Sequence, residues 1–272
     1  NHSICHPRPD RGSRIMPYIL DSRFRGNDRK SSFVIHSLVF SFFGKYDTIG
    51  GMSLRFGLIG LGYFGKHYVR LLQETEGAEL RFVAGAPPGA QETNLRMPAI
   101  IKRAADPRLI FDAPDIDAVI IATPPPTHFS LARDAMLCGK HVLLEKPMVT
   151  RLEDGYVLRD IAEKSGKIFM VGHQYCYNDH IRMLKKNIPM LGEVRYVFCE
   201  QMLFGPLRAD IGCLRDRATH ELSIIDYLFR PGTIRRVNGI TAEVVKNGCE
   251  DFASFHIEFE NGLVAGIACS WF

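Results

Sequence analysis

No apolar run in the 272-residue sequence approaches the roughly 20 residues that a membrane-spanning helix needs. The longest candidate, Phe33 to Phe43, is short and is broken by His36, Ser37 and Ser41, so no membrane partner is expected. The seven cysteines form no C-x-x-C pair and no metal-ligand spacing, which excludes a zinc site of the usual pattern and points to reduced thiols in a cytoplasmic protein with no metal. A one-signed charge excess is also missing from most of the chain. Residues 1–51 hold 8 Lys+Arg against 4 Asp+Glu, whereas the remaining 221 residues hold 26 of each. A balanced body lacks the basic surplus that a nucleic-acid surface requires, so no nucleic-acid partner is expected.

The first 51 residues lack alanine, glutamate and glutamine altogether, although alanine and glutamate are among the commonest residues of globular proteins. Such a segment does not suit a folding unit. Its HPRPDRGSRIMPYILDSRFRGNDRK stretch resembles translated bacterial intergenic repeats. The expectation is a non-domain leader over 1–51, from a start assigned too far upstream, with the natural beginning at Met52. A signal peptide fits less well, because no small-residue cleavage site follows the apolar stretch.

From Met52 onward, strands and helices alternate. Leu54 to Ile59 reads as a strand running into Gly60-Leu-Gly62-Tyr63-Phe64-Gly65, and His67 to Thr75 reads as a helix. In this setting Gly60 permits a tight turn, Gly62 lets backbone approach a pyrophosphate, and Gly65 lets the helix pack on the strand. Further strands are expected at Glu79 to Ala84, Asp115 to Ala122, His141 to Leu144 and Lys167 to Val171, with helices at Phe129 to Cys138 and Leu152 to Lys164. The economical architecture is α/β: a doubly wound parallel sheet of the Rossmann type over 52–172. The acid that grips an adenosine ribose at the end of the second strand is missing, since Gly85-Ala86-Pro87-Pro88 stands there. No neighbouring Arg takes a 2'-phosphate either, Arg96 being the nearest candidate, so this loop selects neither NAD nor NADP.

Taken together, GLGYFG (60–65), ATPPPTH (122–128), EKP (145–147) and D-x-x-x-H (216–220) resemble the glucose-fructose oxidoreductase, inositol dehydrogenase and rhizopine-catabolism (Gfo/Idh/MocA) family of NAD(P)-dependent sugar oxidoreductases. The likeness runs from Met52 to Phe272, and VGHQYCYNDHIRMLKK (171–186) is similar to the nucleotide-sugar 3-dehydrogenase branch. The resemblance implies a substrate and oligomerisation domain over 173–272, with an open, mostly antiparallel sheet, in relatives that form homo-oligomers. Strand-like patterns at Val194 to Gln201, Arg235 to Val245, Phe252 to Phe259 and Leu263 to Ser270, and a helical one at Leu222 to Phe229, agree with it. Relatives continue beyond the position of Phe272, so this domain is expected to be incomplete and to leave Leu263–Ala268 as an exposed sheet edge.

The resemblance also implies chemistry: a hydride moves between a sugar or nucleotide-sugar carbinol and NAD or NADP. His220 and Lys146 are the candidate proton-handling and alkoxide-stabilising groups. Asp216 stands four residues before His220, where a shared helix face would let its carboxylate orient the imidazole. Gly60, Gly62, Tyr63, Phe64, Gly65, Thr123, Pro124, His128, Glu145 and Lys146 form the implied cofactor set. Besides Lys146 and His220, the implied substrate contacts are Tyr177, Asn178 and Arg208, the last suited to a diphosphate. Arg215 and Ala218-Thr219 stand where this branch carries an apolar wall. The competing reading is an inactive or non-catalytic nucleotide-binding fragment of such an enzyme.

Overall fold

The computed structural model describes Ile15–Met16 and residues 53–85, 97–205, 207–245 and 248–272. Nearly all of the leader and the loop 86–96, with Arg96, lie outside the described residues. Ile15–Met16 forms a two-residue strand, β1, beside Phe169–Met170.

The first sheet is parallel throughout. Its strands are β2 (Leu54–Ile59), β3 (Ala78–Ala84), β4 (Lys102–Ala104), β5 (Ala118–Ile121), β6 (His141–Leu144) and β7 (Phe169–Val171). They lie in the order β4-β3-β2-β5-β6-β7, with β1 outside β7. Each central strand buries both faces because its apolar side chains alternate between two cores. Leu58, Ile120 and Leu143 meet Tyr68, Val69 and Leu72 of α1 (Tyr63–Glu74). Ile59, Val119, Ile121 and Leu144 meet α3 (His128–Leu137) and α4 (Leu152–Ser165) on the other face, where the short α2 (Arg108–Phe111) joins them. The chain reverses direction across the sheet between β2 and β5, and such a reversal opens a crevice beyond the carboxyl ends of these strands.

Element boundaries depart from the periodicity at informative places. The first helix starts at Tyr63 rather than His67, since Gly62 takes an extended conformation and Gly65 falls inside the first turn. β5 starts at Ala118 because Asp117 is engaged elsewhere. Its carboxylate accepts from the Arg55 backbone N–H at 3.0 Å and from the Arg55 guanidinium at 2.8 and 2.9 Å. The pair fixes β2 against the turn that feeds β5. α5 (Asp179–Asn187), a short, mostly polar helix whose N-cap is Asn178, was not anticipated.

The second sheet has the order β8-β11-β10-β9, formed by Tyr196–Met202, Val264–Ser270, Phe252–Phe259 and Ile234–Ala242 respectively. β8 and β11 are parallel and the other pairs antiparallel. One face packs on α6 (Cys213–Asp216) and α7 (Ala218–Phe229) through Ile225, Ala253, Ile257, Ala265 and Ile267. The expected exposed edge at Leu263–Ala268 is corrected by this order. β11 is internal, paired on both sides, and Leu263, Ala265, Ile267 and Ala268 are buried. β8 and β9 form the edges, because β8 returns beside β11 and occupies the place that sequence order left open.

The hydrogen bond from Arg55 holds the Asp117 carboxyl below the ordinary carboxylate value, against the opposing pull of burial. Its contribution to stability is therefore present above pH ~4 and lost as the pH falls through the depressed value. Asp117→Asn is expected to cost about 1–2 kcal/mol at pH 7 and progressively less under acid, as read by urea unfolding across a pH series.

Candidate active site

The glycine loop lies at the reversal point. Gly60 takes φ +98, and a Cβ there would stand 2.3 Å from the Ala122 carbonyl oxygen. Its N–H donates to the Ala84 carbonyl, while the Ala122 N–H donates to the Ile59 carbonyl, each at 2.8 Å. The turn is thereby tied to the ends of both neighbouring strands. A Cβ on Gly65 would meet the Gly60 carbonyl oxygen at 1.9 Å, whereas a Cβ on Gly62 would meet nothing within 4 Å. The two glycines therefore do different work: Gly65 is required by packing, and Gly62 keeps open the space in front of α1. That helix has no side-chain N-cap bond and no acid in its first turn, so its first amides face this space, as an anionic pyrophosphate requires. The residues present fit a dinucleotide. Tyr63 is exposed, its ring edge-on to Phe64 and His67.

Across the crevice, β6 ends in Glu145-Lys146-Pro147, with a cis peptide before the proline. The Glu145 carboxylate accepts from the Tyr68 hydroxyl at 2.7 Å and from the Lys146 backbone N–H at 3.2 Å. Burial pushes its carboxyl up despite those bonds. Lys146 Nζ donates to Asp216 Oδ1 at 2.9 Å and to the Asp216 carbonyl at 2.8 Å. Trp271 Nε1 donates to Asp216 Oδ2 at 3.3 Å, and Arg217 and Arg208 stand 3.6 and 3.7 Å from the same carboxylate. Burial works to raise the Asp216 carboxyl, but Lys146 and the two arginines overcome it and hold the group below its usual range.

The expected pairing of Asp216 with His220 is corrected by this arrangement. Asp216 closes α6 and His220 lies in the first turn of α7, with Arg217 between the two helices, so the i,i+4 spacing does not run along one continuous helix. The carboxylate serves Lys146 and Trp271 instead. His220 Nδ1 is buried with no hydrogen-bond partner, and its ring is edge-on to Tyr175 at 4.8 Å. Burial, then the charges of Lys146, His173 and Arg217, hold the imidazole well below its ordinary value. It is neutral at pH 7, and the same burial and cations disfavour the imidazolium.

Other candidates separate by their contacts. Arg208 binds Asp210 at 2.6 and 2.9 Å. Asn178 caps α5, accepting from the His180 and Ile181 N–H groups. Tyr177 lies under the Arg182 guanidinium, 5.0 Å from ring centre. The Thr123 hydroxyl is 2.7 Å from that of Thr127, Pro124 is exposed, and the buried His128 ring contacts two backbone carbonyls. Sequence reasoning missed His173, whose Nδ1 is enclosed without a partner and whose imidazole burial and Lys146 lower to about 4. It also missed Glu221, lifted by burial to about 7 with Oε2 unpartnered. A histidine two residues after β7 and an acid directly after His220 were the available signals.

Two family models match the chain: "Oxidoreductase family, NAD-binding Rossmann fold" over residues 54–173, and "GFO/IDH/MocA C-terminal domain" over 191–272. The chain belongs to the Gfo/Idh/MocA oxidoreductase family. Within it, the chain is 29% identical over 222 residues to a UDP-N-acetylglucosamine 3-dehydrogenase of Acidithiobacillus ferrooxidans. It is 28% identical over 232 residues to a scyllo-inositol 2-dehydrogenase (NAD(+)) of Bacillus subtilis, each alignment covering 80% of this chain and 67% of the relative. It spans 34–64% of several other curated relatives. The fold is shared with the WlbA dehydrogenase of Chromobacterium violaceum, solved with NADH and UDP-GlcNAcA, at a TM-score of 0.73 and 23% identity over 82% of this chain and 68% of that one. Gfo/Idh/MocA membership thus covers both sheets. No described helix is long and apolar enough to cross a membrane.

The contrast between the glycines gives one expected outcome. Gly62→Val folds with near-normal stability and loses NADH affinity by about a hundredfold or more in a fluorescence titration. Gly65→Val, which drives side-chain atoms into backbone, loses about 3 kcal/mol or more of stability as well. The raised Glu221 carboxyl gives another. The folded state must surrender a proton that the unfolded chain loses near pH 4.5, so Glu221→Gln is expected to be more stable than the parent by up to about 3 kcal/mol at pH 8. The advantage should shrink as the pH falls through 7 and vanish only below about pH 4 in parallel thermal melts.

Proposed function

We propose that this chain is a nicotinamide-dependent dehydrogenase acting on a secondary alcohol of a sugar or nucleotide-sugar. The observation that carries the reading is the buried Lys146–Asp216 pair, whose ammonium charge reaches the buried His220, together with a glycine cradle that fits a dinucleotide. The names of relatives acting on UDP-N-acetylglucosamine and scyllo-inositol support the substrate class.

The division of labour follows from charge. Bound NAD(P) would supply the hydride acceptor, and the protein supplies geometry and proton handling. Gly60, Gly62, Tyr63, Phe64 and Gly65 receive the pyrophosphate at the start of α1. Thr123 and Pro124, beyond β5, border the dinucleotide, and Glu145 holds the nicotinamide side by fixing the backbone N–H of Lys146. Lys146 stabilises the oxygen of the carbinol as its proton leaves, and Asp216 keeps the ammonium aimed into the crevice. Neutral His220 takes the proton. Tyr177, Asn178 and Arg208 border the substrate, and Arg208 would exchange Asp210 for a diphosphate. Gly85 offers no ribose acid, so NADH and NADPH bind with similar affinity under this reading.

Lys146→Ala and His220→Ala are each expected to lower turnover by roughly 10²–10⁴-fold with NADH affinity nearly intact, and Asp216→Asn to lower it less. The measurement is sugar-dependent NADH formation over a panel of sugars and UDP-sugars, with NADH titrations in parallel. NADH binding without turnover on any sugar would leave a nucleotide-binding protein, and wild-type rates in both alanine variants would place the proton acceptor elsewhere.

A further inference from the structure

We propose that His128 is a positioning residue that sets Lys146 against the nucleotide loop, and does not itself touch the cofactor. The proposal rests on the reading of Lys146 given above. His128 opens α3 and its side chain is fully enclosed. Nδ1 lies 2.8 Å from the Pro147 carbonyl oxygen and Nε2 lies 2.9 Å from the Thr123 carbonyl oxygen. These carbonyls belong to the segments that leave the carboxyl ends of the neighbouring strands β5 and β6.

The last backbone hydrogen bond joining those segments, among the described residues, runs from the Glu145 N–H to the Ile121 carbonyl at 2.9 Å. Beyond it the two segments have no ladder, and the imidazole is the next link. Lys146 is thus bracketed, with the final rung of the sheet on one side and the His128 contact to Pro147 on the other. A rigid ring with nitrogens on two edges can span two carbonyls facing each other. Both carbonyls accept, so the neutral ring that burial favours donates to one and packs against the other, while only the imidazolium donates to both. The cations facing it are Lys146 and Arg208. Thr123 borders the dinucleotide side, so one side chain couples the nucleotide loop to the lysine.

Glutamine and asparagine dissect the two arms, because a glutamine amide reaches the place of Nε2 and an asparagine amide that of Nδ1. The experiment uses the 272-residue chain, an acylating amine reagent with peptide mass spectrometry to follow Lys146, and NADH titration. In His128→Gln, which releases Pro147, Lys146 should label about tenfold faster with NADH affinity within about threefold of the parent. In His128→Asn, which releases Thr123, NADH affinity should fall about tenfold while Lys146 labelling stays within about threefold. Matching behaviour of the two variants, or unchanged Lys146 labelling in His128→Gln, would overturn the proposal. Labelling needs no turnover, so a parent that binds no NADH sinks the dehydrogenase reading while His128 is still judged. If neither variant folds, nitrogen-15 NMR of the parent decides: a ring N–H of His128 protected from exchange supports the link, and exchange at the rate of free histidine refutes it.

Discussion

Lys146 follows β6 of the first sheet and Asp216 closes α6, which packs on the second, and their contact ties the two halves of the molecule together. Both side chains are nearly enclosed, so neither charge has water to fall back on. Breaking such a pair from one side costs about 3–5 kcal/mol, because the remaining charge is left buried and uncompensated. The ammonium also takes the Asp216 carbonyl, and the carboxylate takes the Trp271 indole. The end of the parallel sheet, the junction of α6 and α7, and the residue after β11 are thereby pinned to one point. The groups proposed to handle the proton stand around it.

The surroundings of that point separate three titratable groups by environment. Burial, with the Lys146 and Arg217 charges, keeps His220 neutral, Lys146, Arg217 and Arg208 keep Asp216 ionised, and burial lifts Glu221 to about 7 against its own backbone hydrogen bond. A neutral base beside a fixed ammonium suits removal of a proton from an alcohol. Several polar atoms here, among them His173 Nδ1 and His220 Nδ1, lack partners among the described residues. Unsatisfied polar groups of this kind are costly in a core and reasonable where a polar substrate completes them.

Much of the first sheet was legible in the sequence because its signals are local. AVII and VLL are continuous apolar runs, glycines mark the turns, and the right-handed crossover rule sets which face each connecting helix covers. The strands at Leu54–Ile59, His141–Leu144 and Phe252–Phe259 have the boundaries that their patterns indicate. The short β4 and the short, mostly polar α5, which buries no residue, were not read. Their positions depend on pairing beside β3 and on the Asn178 cap.

By itself, then, the sequence determined the alternation of elements, the glycine cradle and the family likeness, and it offered Lys146, Asp216 and His220 as candidates. Only the tertiary structure decided which of those residues touch. Spacing along the chain pairs Asp216 with His220, whereas packing brings Lys146, 70 residues away, to that carboxylate. Spacing leaves Leu263–Ala268 at an edge, but the parallel return of β8 encloses it. A motif histidine that reads as a cofactor contact proves to have both ring nitrogens on backbone carbonyls. Local propensity depends on neighbours a few bonds apart. Partner choice among charged and polar groups is settled by which of them are desolvated together, and that is known only when the sheets have met.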